Sequence, residues 1–335
     1  MSANTMHKIN FKEELKFGKT FCPLPFINYH LDVEKKRKVC CQSSNAIDDT
    51  RLTEIRNSIL SNQEVPECNT CYNKEKQKLI SQRQIHLKEW IKKESFLDQA
   101  ILQHSNNEEV KLLEYDLRYS NLCNLECQMC NATNSSAIAS RQGKVVTFLQ
   151  HEPEIDNISP DAHRIYFAGG EPFLIKSFSK ILNNLTNTDC EIVINTNATI
   201  LTDHMLESLD RFSNVSFIIS VDGFGELNNK IRVNSRWEDI DANVDTLANR
   251  YGGYSKFLIN TVIQQDNVNH LLEIGQWIES KGITQWKLNV LKHPEELSFT
   301  HCTDIVIPDE LTNLSIVKGN IQNTYTINFI KNYAQ

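Results

Sequence analysis

The sequence predicts an α/β protein, a parallel sheet wound from strand–helix units, with a small cysteine-rich metal-binding domain ahead of it. From about residue 110, six short runs of β-type residues alternate with helical segments. Motif residues follow the ends of four of those runs. Eight of the ten cysteines fall into two groups, one before residue 75 and one at residues 123–130.

Taken in order, residues 1–75 are loop-rich and cysteine-dense, with little room for a core of their own. Such a segment is normally held together by metal rather than by burial. Residues 76–108 read as a helical linker, because Leu79, Ile80, Leu87, Trp90, Ile91, Leu97 and Ile101 recur near helical spacing. Residues 109–295 form the sheet domain. Its strands are expected at Leu112–Leu117, Arg164–Ala168, Glu191–Asn195, Val215–Val221, Phe257–Ile263 and Gln285–Leu291. Helices are expected around 133–150, 176–187, 202–211, 238–250 and 268–281. Such alternation implies right-handed crossovers and a parallel sheet. In barrel-like folds of this kind the chemistry sits at the C-terminal strand ends. Cys123, Gly169-Gly170-Glu171-Pro172, Thr196-Asn197 and Asp222-Gly223 occupy those places after the first four strands. Residues 296–335 form a C-terminal extension without a motif.

Composition narrows the class. With 40% hydrophobic and 23% charged residues, the 335-residue chain has an ordinary globular balance. No apolar run approaches the ~18 residues that span a bilayer, so no membrane partner is expected. Met1-Ser2-Ala3-Asn4 does not open a secretory signal, which points to a cytoplasmic location with reduced thiols and against a disulfide framework. A net charge of −7 argues against a broad nucleic-acid surface.

Cys123, Cys127 and Cys130 form C-x3-C-x2-C on the loop after the first strand. Three soft thiolates on one loop favour an iron–sulfur cluster or zinc. A structural zinc site wants four N/S ligands, and no neighbouring His or Cys completes that set. A four-iron cubane held by three cysteines instead leaves one iron open to a small molecule.

At these residues the chain resembles the radical S-adenosylmethionine (radical SAM) superfamily. The resemblance implies a partial (β/α)6 TIM-like barrel and a [4Fe–4S] cluster at Cys123, Cys127 and Cys130. That cluster would cleave SAM reductively to a 5′-deoxyadenosyl radical. Met129 stands where the family places a residue near the adenine. Gly169, Gly170 and Glu171 match the segment that engages the SAM amino group. Asn197 and Ser220 resemble contacts to the ribose and carboxylate, joined by Asp222, and Arg232 resembles an arginine that pairs with the SAM carboxylate. Asn260, Thr261 and Asn289 are candidates to face the barrel interior.

The N-terminal cysteines, Cys22, Cys40, Cys41, Cys68 and Cys71, offer thiolates from separated loops that suit a second [4Fe–4S] cluster or a zinc ion. Cys22-Pro-Leu-Pro-Phe26, the Cys40-Cys41 pair, Cys68-x2-Cys71 and Ser81-Gln82-Arg83 resemble the auxiliary-cluster region of twitch/SPASM-type radical SAM proteins. That likeness implies Cys22, Cys40, Cys68 and Cys71 as ligands of an auxiliary [4Fe–4S] cluster, with Cys41 competing for the place of Cys40. Cys190 and Cys302 read as structural thiols.

The resemblance implies an enzyme that abstracts hydrogen from its substrate, with a peptide as the first substrate class and a reductant such as flavodoxin or ferredoxin. The alternatives are a small metabolite or nucleotide substrate, and a non-catalytic iron–sulfur or zinc binding module. No catalytic acid or base stands out in the sequence.

Overall fold

Why residues 17–116 fold at all is the first question, since their sequence promises little core. In the computed structural model, which describes residues 17–34, 36–77, 80–118, 120–144, 158–159 and 162–334, the chain divides at Asp116/Leu117 into two compact units. Residues 76–108 lie within the first of them and 296–335 within the second.

In the first unit a short helix α1 (Leu24–Ile27) leads into a hairpin of β1 (Asn28–Leu31) and β2 (Arg37–Lys38), with His30 opposite Lys38. Helix α2 (Asp49–Leu60) starts at Asp48, whose side chain accepts from the Arg51 amide. Helix α3 (Asn69–Lys76) carries Cys71. Helix α4 (Gln82–Trp90) opens on a capping box between Ser81 and Gln84, and α5 (Glu94–Ser105) follows after one 3-10 turn. These last helices correct the expectation of a coreless segment. Leu87, Trp90, Leu97 and Ala100 pack with Phe21, Phe26, Ile55 and Ile59 into one buried cluster. The predicted linker supplies the half of the core that residues 1–75 lack. Each large side chain so buried contributes about 1.5–3 kcal/mol. Leu79, predicted on the same apolar face, lies outside the described residues. Strand β3 (Glu114–Leu117) runs across the boundary between the units.

The second unit is built on five parallel strands. They are β5 (Arg164–Phe167), β6 (Glu191–Thr196), β7 (Val215–Ser220), β9 (Phe257–Ile263) and β10 (Gln285–Val290), side by side in the order β10-β9-β7-β6-β5. A separate two-stranded ladder pairs β4 (Glu126–Cys127) with β8 (Arg232–Val233). Helix α6 (Ser136–Arg141) follows the cysteine loop; the rest of the helix predicted to residue 150 falls partly outside the described residues. Helices α7 (Lys176–Asn184), α8 (Asp203–Leu209), α9 (Glu226–Ile231), α10 (Trp237–Arg250) and α11 (Leu271–Ser280) fill the crossovers.

Period-two alternation decides the two faces of the sheet. Ile165, Phe167, Ile192, Ile194, Phe217, Ile219, Phe257 and Ile259 are buried on one face. Tyr166, Asn195, Ser220, Asn260 and Asn289 lie half-buried on the other. There Asn195 Nδ2 donates to the Tyr166 hydroxyl at 2.8 Å and Asn289 Nδ2 to Asn260 Oδ1 at 2.7 Å. Thr261, one residue on from Asn260, turns the opposite way and is buried, donating to Val221 O at 2.6 Å.

The C-terminal residues form α12 (Asp309–Asn313), α13 (Ser315–Lys318) and α14 (Ile321–Tyr333). Strand β10 ends the row of strands, and α14 covers its open backbone groups. Asn323 Oδ1 accepts from the Leu288 amide at 3.3 Å, and its Nδ2 donates to Trp286 O at 2.8 Å.

Candidate functional site

The cysteine loop is fastened at both ends. The Cys123 amide donates to Ser136 Oγ at 3.0 Å, and Ser135 Oγ donates to Leu125 O at 2.7 Å. Downstream, Cys127 stands opposite Arg232 in the β4–β8 ladder, and the Cys130 amide closes a turn onto Cys127 O at 2.9 Å. All three thiols are half-buried. Burial pushes Cys123 up to about 12 and raises Cys127 and Cys130 as well, while the Arg232 charge opposes the rise in the last two. Three thiols held this way are ill placed as free groups and well placed as ligands to a cation-bearing centre.

Among the described residues, His86, Glu89 and Glu114 offer ligand atoms that all lie within 4.8 Å of one another.

Beside this loop runs the Gly-Gly-Glu segment. The Ala168, Gly170 and Glu171 amides donate to Leu117, Ser120 and Leu122 carbonyls at 3.0, 2.8 and 2.7 Å. A Cβ on Gly170 would sit 2.1 Å from Leu122 O, and one on Gly169, whose φ is +115°, 2.6 Å from Ser120 O. The glycines are thus required by the close approach of two backbones, one of which leads directly into Cys123.

Glu171 is 1% exposed and ties β5 to β6. Its Oε1 accepts from Thr196 Oγ1 at 2.6 Å and from the Phe173 amide at 3.2 Å, and its Oε2 accepts from the Asn197 amide at 2.8 Å. Burial pushes the carboxyl up to about 7 against the pull of those three donors. A carboxylate offers about four acceptor positions, so one remains on Oε2. The Asn197 side chain donates to Asn124 Oδ1 at 3.1 Å and accepts from Thr199 Oγ1 at 2.6 Å, which fastens β6 to the cysteine loop.

Other predicted positions fall nearby. Ser220 Oγ donates to Asn195 Oδ1 at 3.5 Å on the half-buried sheet face. Asp222 is fully buried; its Oδ2 pairs with Arg232 Nη2 at 2.7 Å and its Oδ1 accepts from the Val262 amide at 2.7 Å. Arg232 Nη1 donates to Cys127 Sγ at 3.7 Å. Met129 is half-buried within the cysteine loop. Sequence reasoning marked Thr196 as a motif residue without a role and missed Asn124 and Thr199; the three side chains complete the Glu171–Asn197 network. Their positions inside or beside the motifs were the only available signal.

In the first unit, Cys22, Cys40, Cys68 and Cys71 are buried, whereas Cys41 is exposed. Burial raises Cys22 well above its ordinary value, reinforced by Cys68, Cys40 and Cys71, and pushes Cys68 up to about 12, reinforced by Cys71. Four sulfurs from three separate segments therefore share one neighbourhood. Arg83 braces it: Nη1 donates to Phe21 O at 2.8 Å, next to Cys22, and Nε to Glu75 Oε1 at 2.9 Å, one turn beyond Cys71.

Sheet, crossovers and cysteine loop together define a class. Residues 117–278 match the model of the radical SAM superfamily. A curated relative, an uncharacterized protein of Methanocaldococcus jannaschii, is 27% identical over 207 residues, covering 59% of this chain and 69% of its own. Among solved structures, anSMEcpe with bound AdoMet is similar at 16% identity and a TM-score of 0.42, over 54% of this chain and 52% of that one. Streptococcus suis SuiB bound to its precursor peptide SuiA is similar at 14% identity and a TM-score of 0.42, over 86% of this chain and 64% of that one. This chain thus spans about half the length of the first of these structures and less than two thirds of the second.

Proposed function

We propose that this chain is a radical SAM enzyme with the partial (β/α)6 barrel of that superfamily. The observation that carries the reading is the fastening of Cys123, Cys127 and Cys130 beside a buried Glu171 that keeps one acceptor position open. A [4Fe–4S] cluster, when bound, supplies the electron that cleaves SAM to a 5′-deoxyadenosyl radical, which abstracts hydrogen from the substrate. The chain's own residues bind and orient. Cys123, Cys127 and Cys130 serve as ligands, and Glu171 Oε2 receives an N–H of the SAM amino group. Gly169 and Gly170 hold that carboxylate against the cysteine loop, Asn197 and Ser220 contact SAM, and Met129 packs against the adenine.

Cys22, Cys40, Cys68 and Cys71 are assigned to an auxiliary [4Fe–4S] cluster of the twitch/SPASM kind. Its support is that the four thiols are buried and that Cys68, Cys40 and Cys71 each act electrostatically on Cys22. For the substrate we take a peptide, acting with a flavodoxin or ferredoxin reductant; the half-buried amide and hydroxyl groups of Asn195, Ser220, Asn260 and Asn289 offer it hydrogen bonds.

Anaerobically reconstituted protein, treated with dithionite and SAM, is expected to release 5′-deoxyadenosine, and Cys123→Ala, Cys127→Ala and Cys130→Ala are each expected to abolish that product. Fully iron-loaded protein that forms none is instead a binding module.

A further inference from the structure

We infer that Arg232 and Asp222 form an opposed charge pair that sets the electron affinity of the group held by Cys127, and in this the proposal rests on reading Cys123, Cys127 and Cys130 as cluster ligands. The main chain fixes the approach. Cys127 and Arg232 are register partners in the β4–β8 ladder, and the next amide, that of Gln128, donates to Ile231 O at 2.9 Å. The guanidinium is engaged at both ends: Nη1 donates to Cys127 Sγ at 3.7 Å and Nη2 pairs with Asp222 Oδ2 at 2.7 Å. Neither partner has room to turn away. Arg232 is 8% exposed and Asp222 is fully buried. Asp222 is itself held on three sides, by the Val262 amide on Oδ1, by Asn228 Oδ1 on its own amide at 3.0 Å, and by Asn267 Nδ2 on its carbonyl at 2.8 Å.

The consequence follows from electrostatics in a site of low dielectric. A donor and a positive charge at a ligating sulfur stabilise negative charge on it. The one-electron-reduced cluster carries one unit more of that charge than the oxidised form. Hydrogen bonds to sulfur and net local charge are established levers on cluster potential. Arg232 therefore raises the midpoint potential, and Asp222, on the far side of the guanidinium, moderates the rise. Arg232 acts through Cys127 as a positioning residue. This differs from the part the resemblance gives it, that of a partner to the SAM carboxylate.

The test is a potentiometric titration of the reconstituted protein without SAM, following by electron paramagnetic resonance the signal that disappears in Cys127→Ala. Arg232→Gln is expected to lower the midpoint by at least about 59 mV, a tenfold loss of reduced fraction at fixed potential for one electron. Asp222→Asn is expected to move it in the opposite direction. Arg232→Lys keeps the charge, so it is expected to load iron as the native chain does and to hold its midpoint inside that tenfold window. A purely structural pair would not give shifts of opposite sign. An unchanged midpoint in Arg232→Gln, with a raised KM for SAM, overturns the proposal and returns Arg232 to the carboxylate. Should Arg232→Gln bind no iron, Arg232→Lys decides alone, and a midpoint outside the window overturns the proposal. Native protein that binds no iron at Cys127 refutes instead the assignment of the ligands.

Discussion

The Thr196 hydroxyl donates to Glu171 Oε1 at 2.6 Å, joining the end of β6 to the loop after β5 through a carboxyl group that solvent scarcely reaches. Every donor around that group expects an acceptor. Glu171→Gln places an amide N–H₂ where the carboxylate accepted, facing either the Asn197 amide or the Thr196 hydroxyl. One unsatisfied buried group costs about 1–3 kcal/mol. Chemical unfolding of Glu171→Gln is expected to show a loss of that size, together with weakened SAM binding. A stability equal to the native chain's would show that the network does not hold.

The same carboxyl group predicts an inverted pH dependence. Its folded pKa, near 7, lies above the ordinary carboxylate range, so the folded chain binds a proton that the unfolded chain releases. The stability linked to it is complete below the ordinary range and is lost as pH rises through about 7. Urea midpoints of cluster-free protein, measured from pH 5 to 8, are expected to fall with pH more steeply in the native chain than in Glu171→Gln. Parallel curves would sink the assignment.

Gly170→Ala tests the close approach of the two backbones. Its new methyl group meets Leu122 O, a main-chain atom that cannot rotate aside. Overpacking of this kind costs about 1–3 kcal/mol. The displaced segment leads into Cys123, so iron content is expected to fall from about eight to about four atoms per chain, the loss of one cubane. Full iron retention would mean that the loop tolerates the displacement.

Cys40 and Cys41 are adjacent, but only Cys40 is buried with the other three cysteines of its unit. Cys40→Ser is expected to remove the N-terminal iron and Cys41→Ser to leave it, as read by iron analysis and the visible spectrum. The reverse pattern would exchange their roles.

Asn323→Ala should act on stability alone. It strips the Leu288 amide of its side-chain partner at the edge of the sheet, a cost of about 1–3 kcal/mol. Unfolding by urea is expected to register that loss, with iron content unchanged. A variant that also loses iron would tie the C-terminal helices to the cysteine loop.

The strands were the most legible part of the fold. Phe257–Ile263 coincides with the expected run, and β6, β7 and β10 differ from theirs by one residue at the C-terminal end. Alternating β-branched and aromatic residues leave few other ways to bury one face. The two-residue strands β4 and β8 escaped notice, because two residues show no period. The motifs marked Cys123, Glu171 and Asn197 by position, but the directions of Asn124, Thr196 and Asn267 depend on segments far apart in the chain. The core of the first unit was misread because its halves, around Phe26 and around Trp90, are separated by more than fifty residues.

The β4–β8 ladder also imposes an order of assembly. Cys127 finds its backbone partner at Arg232, which leaves the ribosome 105 residues later. Until then one side of the cysteine loop has nothing to lie against. Cys22, Cys40, Cys68 and Cys71, by contrast, emerge together early, followed closely by the helices that enclose them. Chains fold from the N-terminus as they are made. The two sulfur sets therefore become competent at different moments of synthesis. A nascent chain halted before residue 232 would hold its first set complete and its second unsupported.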